Sequence, residues 1–565
     1  MSQATTITPA SDAALLQALP AGPLRVGVLI KQGALSKWIY QLLQRIKTCS
    51  FAAPVLIIDT HPPAIRAPME WKHILFRLWR SWDHGFFANN GDGSIYHKAA
   101  DSIADIPKIE ISSAPAGHSA HVSFTTADLE KLVALDLDVL LDFAHAGAAS
   151  ELSVAAKYGI WFFPESNSEQ QDHISSLLEP ILAGAPASAL SLVAARSPGN
   201  RIELLHAAQV ATDPVSLTRV QDATNWRKPH WIMRTLSLLH HSGRSWEAVA
   251  QGCSLPPPAS AAPGNFQMAK FIVHRYTRAA WSKARNKMRR EQWVIGIRKR
   301  GSAGNRFELK DFTPLAPPAD RFYADPFIVE KNGKNYLFFE ELPFTANQGI
   351  ISCMEMDADG HCGPTRSVLE MDYHLSYPFV FEWGGQMYML PETRDSGKIC
   401  LFRAVDFPAC WKLEKVLMEN VWAVDPTLFE YAGKFWLFAG GVEEHGDINS
   451  ELYLFFAQSP LGPWIPHPLN PVVSDVHRAR PAGKLFFHEG KLIRPGQDCS
   501  LRYGSAIALN KVVALSETEY REEPLQKLEN DWLPGNLGSH TLNSSEHFDV
   551  IDGRWLVRRP FLRKT

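Results

Sequence analysis

No stretch of the chain approaches the ~20 uninterrupted apolar residues that a membrane-crossing helix needs. Met1 to Leu19 also lack a basic start followed by a long apolar core, so neither a membrane span nor a secretory signal is expected. Cysteine is scarce: the seven present are scattered, odd in number and without a CxxC pair. That argues against a complete disulfide framework and for a reducing cytosol. Excess charge is missing too, and a formal net charge of -2 gives no reason to invoke nucleic acid. Gly27 and Gly33 fall short of a GxGxxG fingerprint, and neither His361 with Cys362 nor His445 with Asp447 makes a metal set. No cofactor and no metal is read from the sequence.

What the chain does have is length, proline, glycine and tryptophan. With 565 residues and 45% hydrophobic content it is too long for one core and apolar enough for several. Its 39 prolines, 36 glycines and 17 tryptophans fit a β-rich, loop-rich body. After a polar tail over residues 1–22, Leu24 to Ile30 reads as a buried parallel strand and Ser36 to Lys47 as an amphipathic helix. Pro54 to Asp59 is the next strand, which completes a βαβ opening. Residues 62 to 123 read as a partly helical insertion. Leu135 to Phe143 and Gly159 to Phe163 then restore buried strands, with Ser150 to Tyr158 helical between them.

This order of elements, with LDVLLDF, YGIW and LAGAPASALSLV in succession, resembles the formyltransferase fold of methionyl-tRNA and sugar-nucleotide formyltransferases. The resemblance implies a Rossmann-like α/β domain over residues 23–215. It also implies an Asn, a His and an Asp that stabilise the oxyanion and manage the proton. The first two positions hold Trp161 and Phe163, and no Asp matches near Ala194 to Asn200, so a scaffold that has lost formyl transfer is expected. Asp142 and His145 are a substitute pair, read as a strand end and a loop residue.

Residues 216–291 form a connector: a long helix within Asn225 to Gln251, a Pro/Ala-rich linker from Gly252 to Pro263, and a basic helix from Phe266 to Arg290. The last fits either an anionic membrane surface or a solvated interdomain face.

From residue 292 onward a pattern repeats: a short apolar strand, a turn at glycine, a second apolar strand. The copies contain Gly333, Gly385, Gly433, Gly490 and Gly553, an interval of about 50 residues, as four-stranded propeller blades require. Glu291 to Ile297 and His547 to Arg558 are expected to close the ring by sharing a blade. Asp325, Tyr377, Asp425 and Arg480 each precede a proline and are expected to be extended and to begin the innermost strands. Asp325 and Asp425 would then converge on one funnel, where close carboxylates shift each other's pKa.

ADPF and VDPTLFE resemble stretches of five-bladed propeller glycosidases of the arabinanase and xylosidase type. The whole series, including SYPFVFEWGGQMYMLPET and RPAGKLFFHEGKLIRPGQDCSLRYG, is similar over nearly all of residues 293–565 to the N-terminal domain of glucosamine inositolphosphorylceramide transferases and its bacterial relatives. The resemblance to the glycosidases implies Asp325 as general base and Asp425 as the group that tunes and positions the acid. Those glycosidases take the acid from a fourth-blade Glu. Ala479-Arg480-Pro481 stands there instead, so Glu392 is preferred as the acid, ahead of Glu341. Arg480, Arg494 and Arg502, with Gln497, Asp498 and Tyr503, read as a set able to grip phosphate or a carboxylated sugar. His540 is read as a channel residue or a loop histidine.

The expectation is a cytosolic, carbohydrate-active protein of cell-surface polysaccharide or glycolipid biosynthesis. A formyltransferase-like α/β domain would precede a five-bladed β-propeller over residues 292–565. The propeller would bind, and act on, a charged glycan, glycolipid or nucleotide-sugar ligand by glycosyl transfer or hydrolysis, with peripheral membrane contact an open alternative. Two other readings stand beside it: a non-catalytic scaffold serving a partner glycosyltransferase, and a formyl- or acyltransferase acting on an amino sugar.

Overall fold

The computed structural model describes residues 22–31, 35–61, 71–88, 104–112, 114–115, 122–144, 152–164, 177–198, 201–250, 262–301, 307–442 and 447–558. Residues 1–21 of the polar tail, most of the Pro/Ala-rich linker and His145 lie outside them.

Side-chain alternation in Leu24–Lys31 builds the first domain. Val26, Val28 and Ile30 face one way, onto Ile39, Leu42, Leu43 and Ile46 of the helix Lys37–Thr48 and onto Trp231 and Leu236 of the helix Lys228–His241. Leu29 points the other way, into a second cluster with Ile58, Leu140 and Leu152. A sheet with a period of two is thus covered on both faces. Its strands run in the order Lys108–Ser112, Ala52–His61, Leu24–Lys31, Val139–Asp142, Ile160–Phe162, Ala187–Arg196, Arg201–Ala211. The first five are mutually parallel and the last two antiparallel to their predecessors. Gly27 lies where the first strand is closely packed: a Cβ there would sit 2.8 Å from Leu137 Cδ1. The helix expected over Ser150 to Tyr158 is absent from residues 153–158, which form turns and bridge Leu137 through Ala156.

The second half is a five-bladed β-propeller. Its first blade runs Arg321–Lys331, Lys334–Pro343, Ile350–Met356, Arg366–Leu369, and the second runs Ser376–Trp383, Gln386–Glu392, Lys398–Asp406, Cys410–Glu419. The third is built on Val424–Tyr431, Lys434–Gly440 and Glu451–Ala457, and the fourth on Phe486–His488, Lys491–Asp498, Ala506–Leu515 and Tyr520–Lys527. Four turn glycines do what the repeat implies. Gly333, Gly385, Gly433 and Gly490 have φ of 71–74°, and the residues before them, Asn332, Gly384, Ala432 and Glu489, are also left-handed. Two successive positive φ values are the hairpin turn whose twist matches that of the strands.

The fifth blade departs from the expected pattern. Phe548–Arg558 is one continuous strand, and Gly553 lies inside it rather than at a turn. A Cβ on Gly553 would stand 2.5 Å from Trp532 Cζ2, so close packing against an indole, not chain reversal, demands glycine here. The strand pairs from Arg558↔Arg289 to Phe548↔Lys299, closing the ring, and Leu542–Ser544 becomes the innermost strand. Aromatic side chains fill the gaps between blades. Phe327 meets Tyr377 edge-on at 4.8 Å and Phe379 at 5.7 Å, and all three are buried. Each such ring stabilises the fold by roughly 1.5–3 kcal/mol.

The two halves touch. The Val476 amide donates to the Gln209 carbonyl at 3.0 Å, an Arg234 Nη1 donates to the Pro471 carbonyl at 2.7 Å, and Arg227 pairs with Asp447.

Candidate active site

The funnel residues are aimed by a backbone departure that the sequence does not announce. Asp325, Tyr377 and Asp425 were expected to be extended because each precedes a proline; they are left-handed, with φ of 50°, 47° and 49°. Each falls in a break of strand register, between Ala324 and Phe327, Ser376 and Phe379, and Val424 and Thr427. A bulge removes the residue and its proline from the ladder and re-aims the side chain. Holding a non-glycine residue in this region costs about 1–3 kcal/mol, met here by buried hydrogen bonds on every one of the three.

Asp325 is 3% exposed. Its Oδ1 accepts from the Thr541 hydroxyl at 2.6 Å and its Oδ2 from the Tyr377 amide at 3.2 Å, while its own amide donates to Asp552 Oδ2 at 3.2 Å. His540 stands between two carboxylates, with Nε2 3.3 Å from Asp325 Oδ1 and Nδ1 2.5 Å from Asp552 Oδ2. Burial alone would lower the His540 pKa; Asp552 and Asp325 outweigh it and carry it up to about 9. Burial pushes Asp325 up to about 7, with His540 opposing the rise and Glu340, Asp425 and Asp552 adding to it. Asp325, His540 and Asp552 also bring ligand atoms within 4.8 Å of one another, the one buried grouping among the described residues that could hold a cation.

Across the funnel, Arg480 Nε donates to Asp425 Oδ2 at 2.7 Å, and Gln497 Nε2 donates to the same oxygen at 2.9 Å. Glu392 Oε2 accepts the Asp425 amide at 3.2 Å and lies 3.8 Å from Arg480 Nη2. Burial pushes Glu392 up to about 8, Asp425 adds to the rise and Arg480 opposes it. The carboxyl therefore holds its proton at neutral pH although a guanidinium is near, because desolvation of the charged form outweighs that attraction. The Arg480 guanidinium is also stacked 4.6 Å over the Tyr503 ring, and Tyr503 is 37% exposed at the rim.

The structure thus gathers Asp325, Asp425, Glu392, Arg480, Gln497, Tyr503 and His540. It does not gather the other expected site residues. Arg494 is buried with Nε and Nη2 on Glu522, both at 2.7 Å, and its remaining donors on the carbonyls of Arg478, Ala479 and Pro495. That is a correction: its fork is filled by protein acceptors, so it holds the fourth blade together. Asp498 accepts from Lys527 Nζ at 2.6 Å, not from Arg502, and Arg502 is exposed. Glu341 pairs with Arg321 and accepts from Ser352 Oγ at 2.6 Å, so it braces the first blade. Sequence reading missed Asp552, Thr541 and the Tyr377 amide. Asp552 was hidden because Asp-Gly reads as a hairpin turn, and no sequence signal marks a backbone donor. In the first domain, Trp161 and Phe163 are buried, and Trp161 Nε1 donates to the Tyr158 carbonyl at 3.1 Å.

Among curated proteins, the glucosamine inositolphosphorylceramide transferase 1 of Arabidopsis thaliana is 36% identical over 256 residues, which is 43% of this chain and 33% of that protein. Its namesake in Oryza sativa subsp. japonica is 41% identical over 208 residues, 36% of this chain and 28% of that protein. The chain spans about a third or less of the length of these relatives. Solved structures to which part of the chain is similar include Zg3597, a family 117 glycoside hydrolase of Zobellia galactanivorans (TM-score 0.31, 13% identity, 46% of this chain and 90% of that one). Another is a Cellvibrio cellulosa α-L-arabinanase (TM-score 0.29, 15% identity, 36% of this chain and 77% of that one). Residues 314–553, all within the propeller just described, match the family model described as "Glucosamine inositolphosphorylceramide transferase 1, N-terminal".

Proposed function

We propose that the funnel is the active site of a carbohydrate-active enzyme that makes or breaks a glycosidic bond during glycolipid or cell-surface polysaccharide synthesis. The observation that carries this reading is the pair of carboxyls from different blades, Glu392 at about 8 and Asp325 at about 7, kept protonatable near neutrality in one buried cluster. Glycosidic chemistry needs a proton delivered to one oxygen and removed from another. Glu392, protonated at neutral pH, is the acid. Asp325, poised at neutrality and held by Thr541, is the base, and His540 sets its charge. Asp425, clamped by Arg480 and Gln497, positions the Glu392 carboxyl through its amide. The likeness of residues 314–553 to transferases named for inositolphosphorylceramide supports glycosyl transfer to a lipid-linked acceptor from a nucleotide-sugar donor over plain hydrolysis. The succession of strands in the first domain supports the formyltransferase-like reading of that sheet. The buried aromatics at 161 and 163 support its role as a scaffold.

A binding-only role has one observation in its favour: Arg480, 2.7 Å from Asp425 and 3.8 Å from Glu392, neutralises charge where a hydrolase would carry another acid. One experiment separates the two. The protein is incubated with nucleotide sugars and glycolipid acceptors, turnover is followed by mass spectrometry, and Asp325→Asn, Asp425→Asn and Glu392→Gln are run in parallel. Turnover lost in all three variants supports the enzyme. Ligand retention without turnover by the wild type supports binding alone.

A further inference from the structure

We propose that the packed helices Ile74–Phe87 and Asn265–Met288 form a face that seats this protein on an anionic lipid surface. The longer helix is apolar on two sides. Met268 and Phe271 are buried in the first domain, as an interior stripe should be. At about 100° per residue, Phe266, Val273 and Trp281 fall together on the opposite side, with Lys270 among them. Phe266 is 85% exposed, Val273 64% and Trp281 74%. The shorter helix repeats the arrangement: Leu78, Trp82 and Phe86, at successive intervals of four, are 62%, 45% and 68% exposed, and Trp71 just before it is 73% exposed. Trp82 stacks on Phe86 at 5.3 Å and meets Tyr276 of the longer helix edge-on at 5.5 Å, so the two stripes adjoin. Single exposed apolar residues are ordinary in folded proteins; an adjoining set holding three tryptophans is not.

Charge identifies the occupant. Residues 248–290 contain no aspartate or glutamate, while Lys270, Arg278 and Lys283 are exposed on the helix. The one acid of the shorter helix, Asp83, is buried and accepts from the Thr218 amide and hydroxyl. The exposed charge of the face is therefore cationic throughout. Two copies meeting here would set cation against cation, whereas a bilayer bearing anionic headgroups complements both the charge and the aromatic side chains that favour the interface. Neither helix is long and apolar enough to cross a membrane. The 24-residue helix, about 36 Å long, would lie flat, with Lys270 reaching up from the apolar stripe to the headgroups.

The test is co-sedimentation of the full-length protein with phosphatidylcholine vesicles, with and without phosphatidylglycerol. Binding is expected only to the anionic vesicles, weakened by added salt. Phe266→Ala with Trp281→Ala should weaken it by about 10- to 100-fold, the loss of two aromatic insertions. Lys270→Glu with Arg278→Glu should abolish it. All four side chains are exposed, so melting temperatures should match the wild type. Equal binding to neutral vesicles, no binding, or binding indifferent to both double variants overturns the proposal. So does a concentration-dependent dimer in sedimentation velocity that Phe266→Ala/Trp281→Ala dissolves.

Discussion

Replacing Glu392 with Gln should make the protein more stable in alkali while removing its activity. The carboxyl titrates at about 8 in the fold, against 4.5 in the open chain. A group whose folded pKa is raised binds its proton more tightly in the native state, so stability falls as pH rises from 4.5 through 8. Each pKa unit corresponds to about 1.4 kcal/mol, which sets an upper bound on the order of 5 kcal/mol once the group is ionised. The opposing pull of Arg480 is already contained in that folded value, so a gain of up to about 5 kcal/mol is expected above pH 8. Gln preserves the shape and still accepts the Asp425 amide through its carbonyl. Below pH 4.5 the variant and the wild type should be nearly equal. Calorimetric melting of the full chain from pH 4 to pH 9 measures this: the wild-type midpoint should decline with pH and the Glu392→Gln midpoint should decline less. Parallel pH profiles, or a variant less stable than the wild type at pH 9, would refute the argument that desolvation keeps Glu392 protonated.

His540 gives the complementary window. Its folded pKa of about 9 lies above the ordinary 6.5, so its contribution is fully present below 6.5 and disappears as pH rises through 9; His540→Asn should flatten the melting profile in that interval. Arg494→Met leaves Glu522 buried with half its partners and should lower stability by about 3–5 kcal/mol in urea unfolding, whereas Arg494→Met with Glu522→Leu should recover most of it. Gly553→Ala drives a methyl to 2.5 Å from Trp532 and should cost about 1–3 kcal/mol, read as a lower melting temperature with earlier hydrogen exchange in residues 548–558.

The blade framework was legible because each hairpin repeats local chemistry: alternating apolar side chains and a left-handed Gly at a tight turn. Ring closure was legible for the same reason, since each closing segment holds short apolar runs, Trp293-Val294-Ile295 in one and Val550-Ile551 with Trp555-Leu556-Val557 in the other. The site was legible by residue type and less so by geometry. Asp325 and Asp425 stood out before proline, yet the reasoning that placed them there predicts extended backbone, and only long-range pairing on either side of the bulge imposes the opposite conformation. Arg494 and Asp498 were chosen as charged residues of a conspicuous motif. Burial decides their role instead, and burial depends on Glu522 and Lys527, about 28 residues further along the chain. Asp552 was misassigned with Gly553, because Asp-Gly carries the same local signal in a turn and against an indole.

The contact between the halves has a consequence for how Arg480 is aimed. The Gln209 carbonyl, on the last strand of the first domain, accepts the Val476 amide, and three hydrogen bonds lead on from that turn: Asp475 to Ser450, Ala479 to Asp475 and Cys499 to Val476. Arg480 follows directly, at the end of this short braced segment. The α/β domain therefore works as an anvil for one wall of the funnel. Shearing the two halves by an ångström would tilt the guanidinium that holds Asp425, and an excised propeller would lose that backing for its fourth blade.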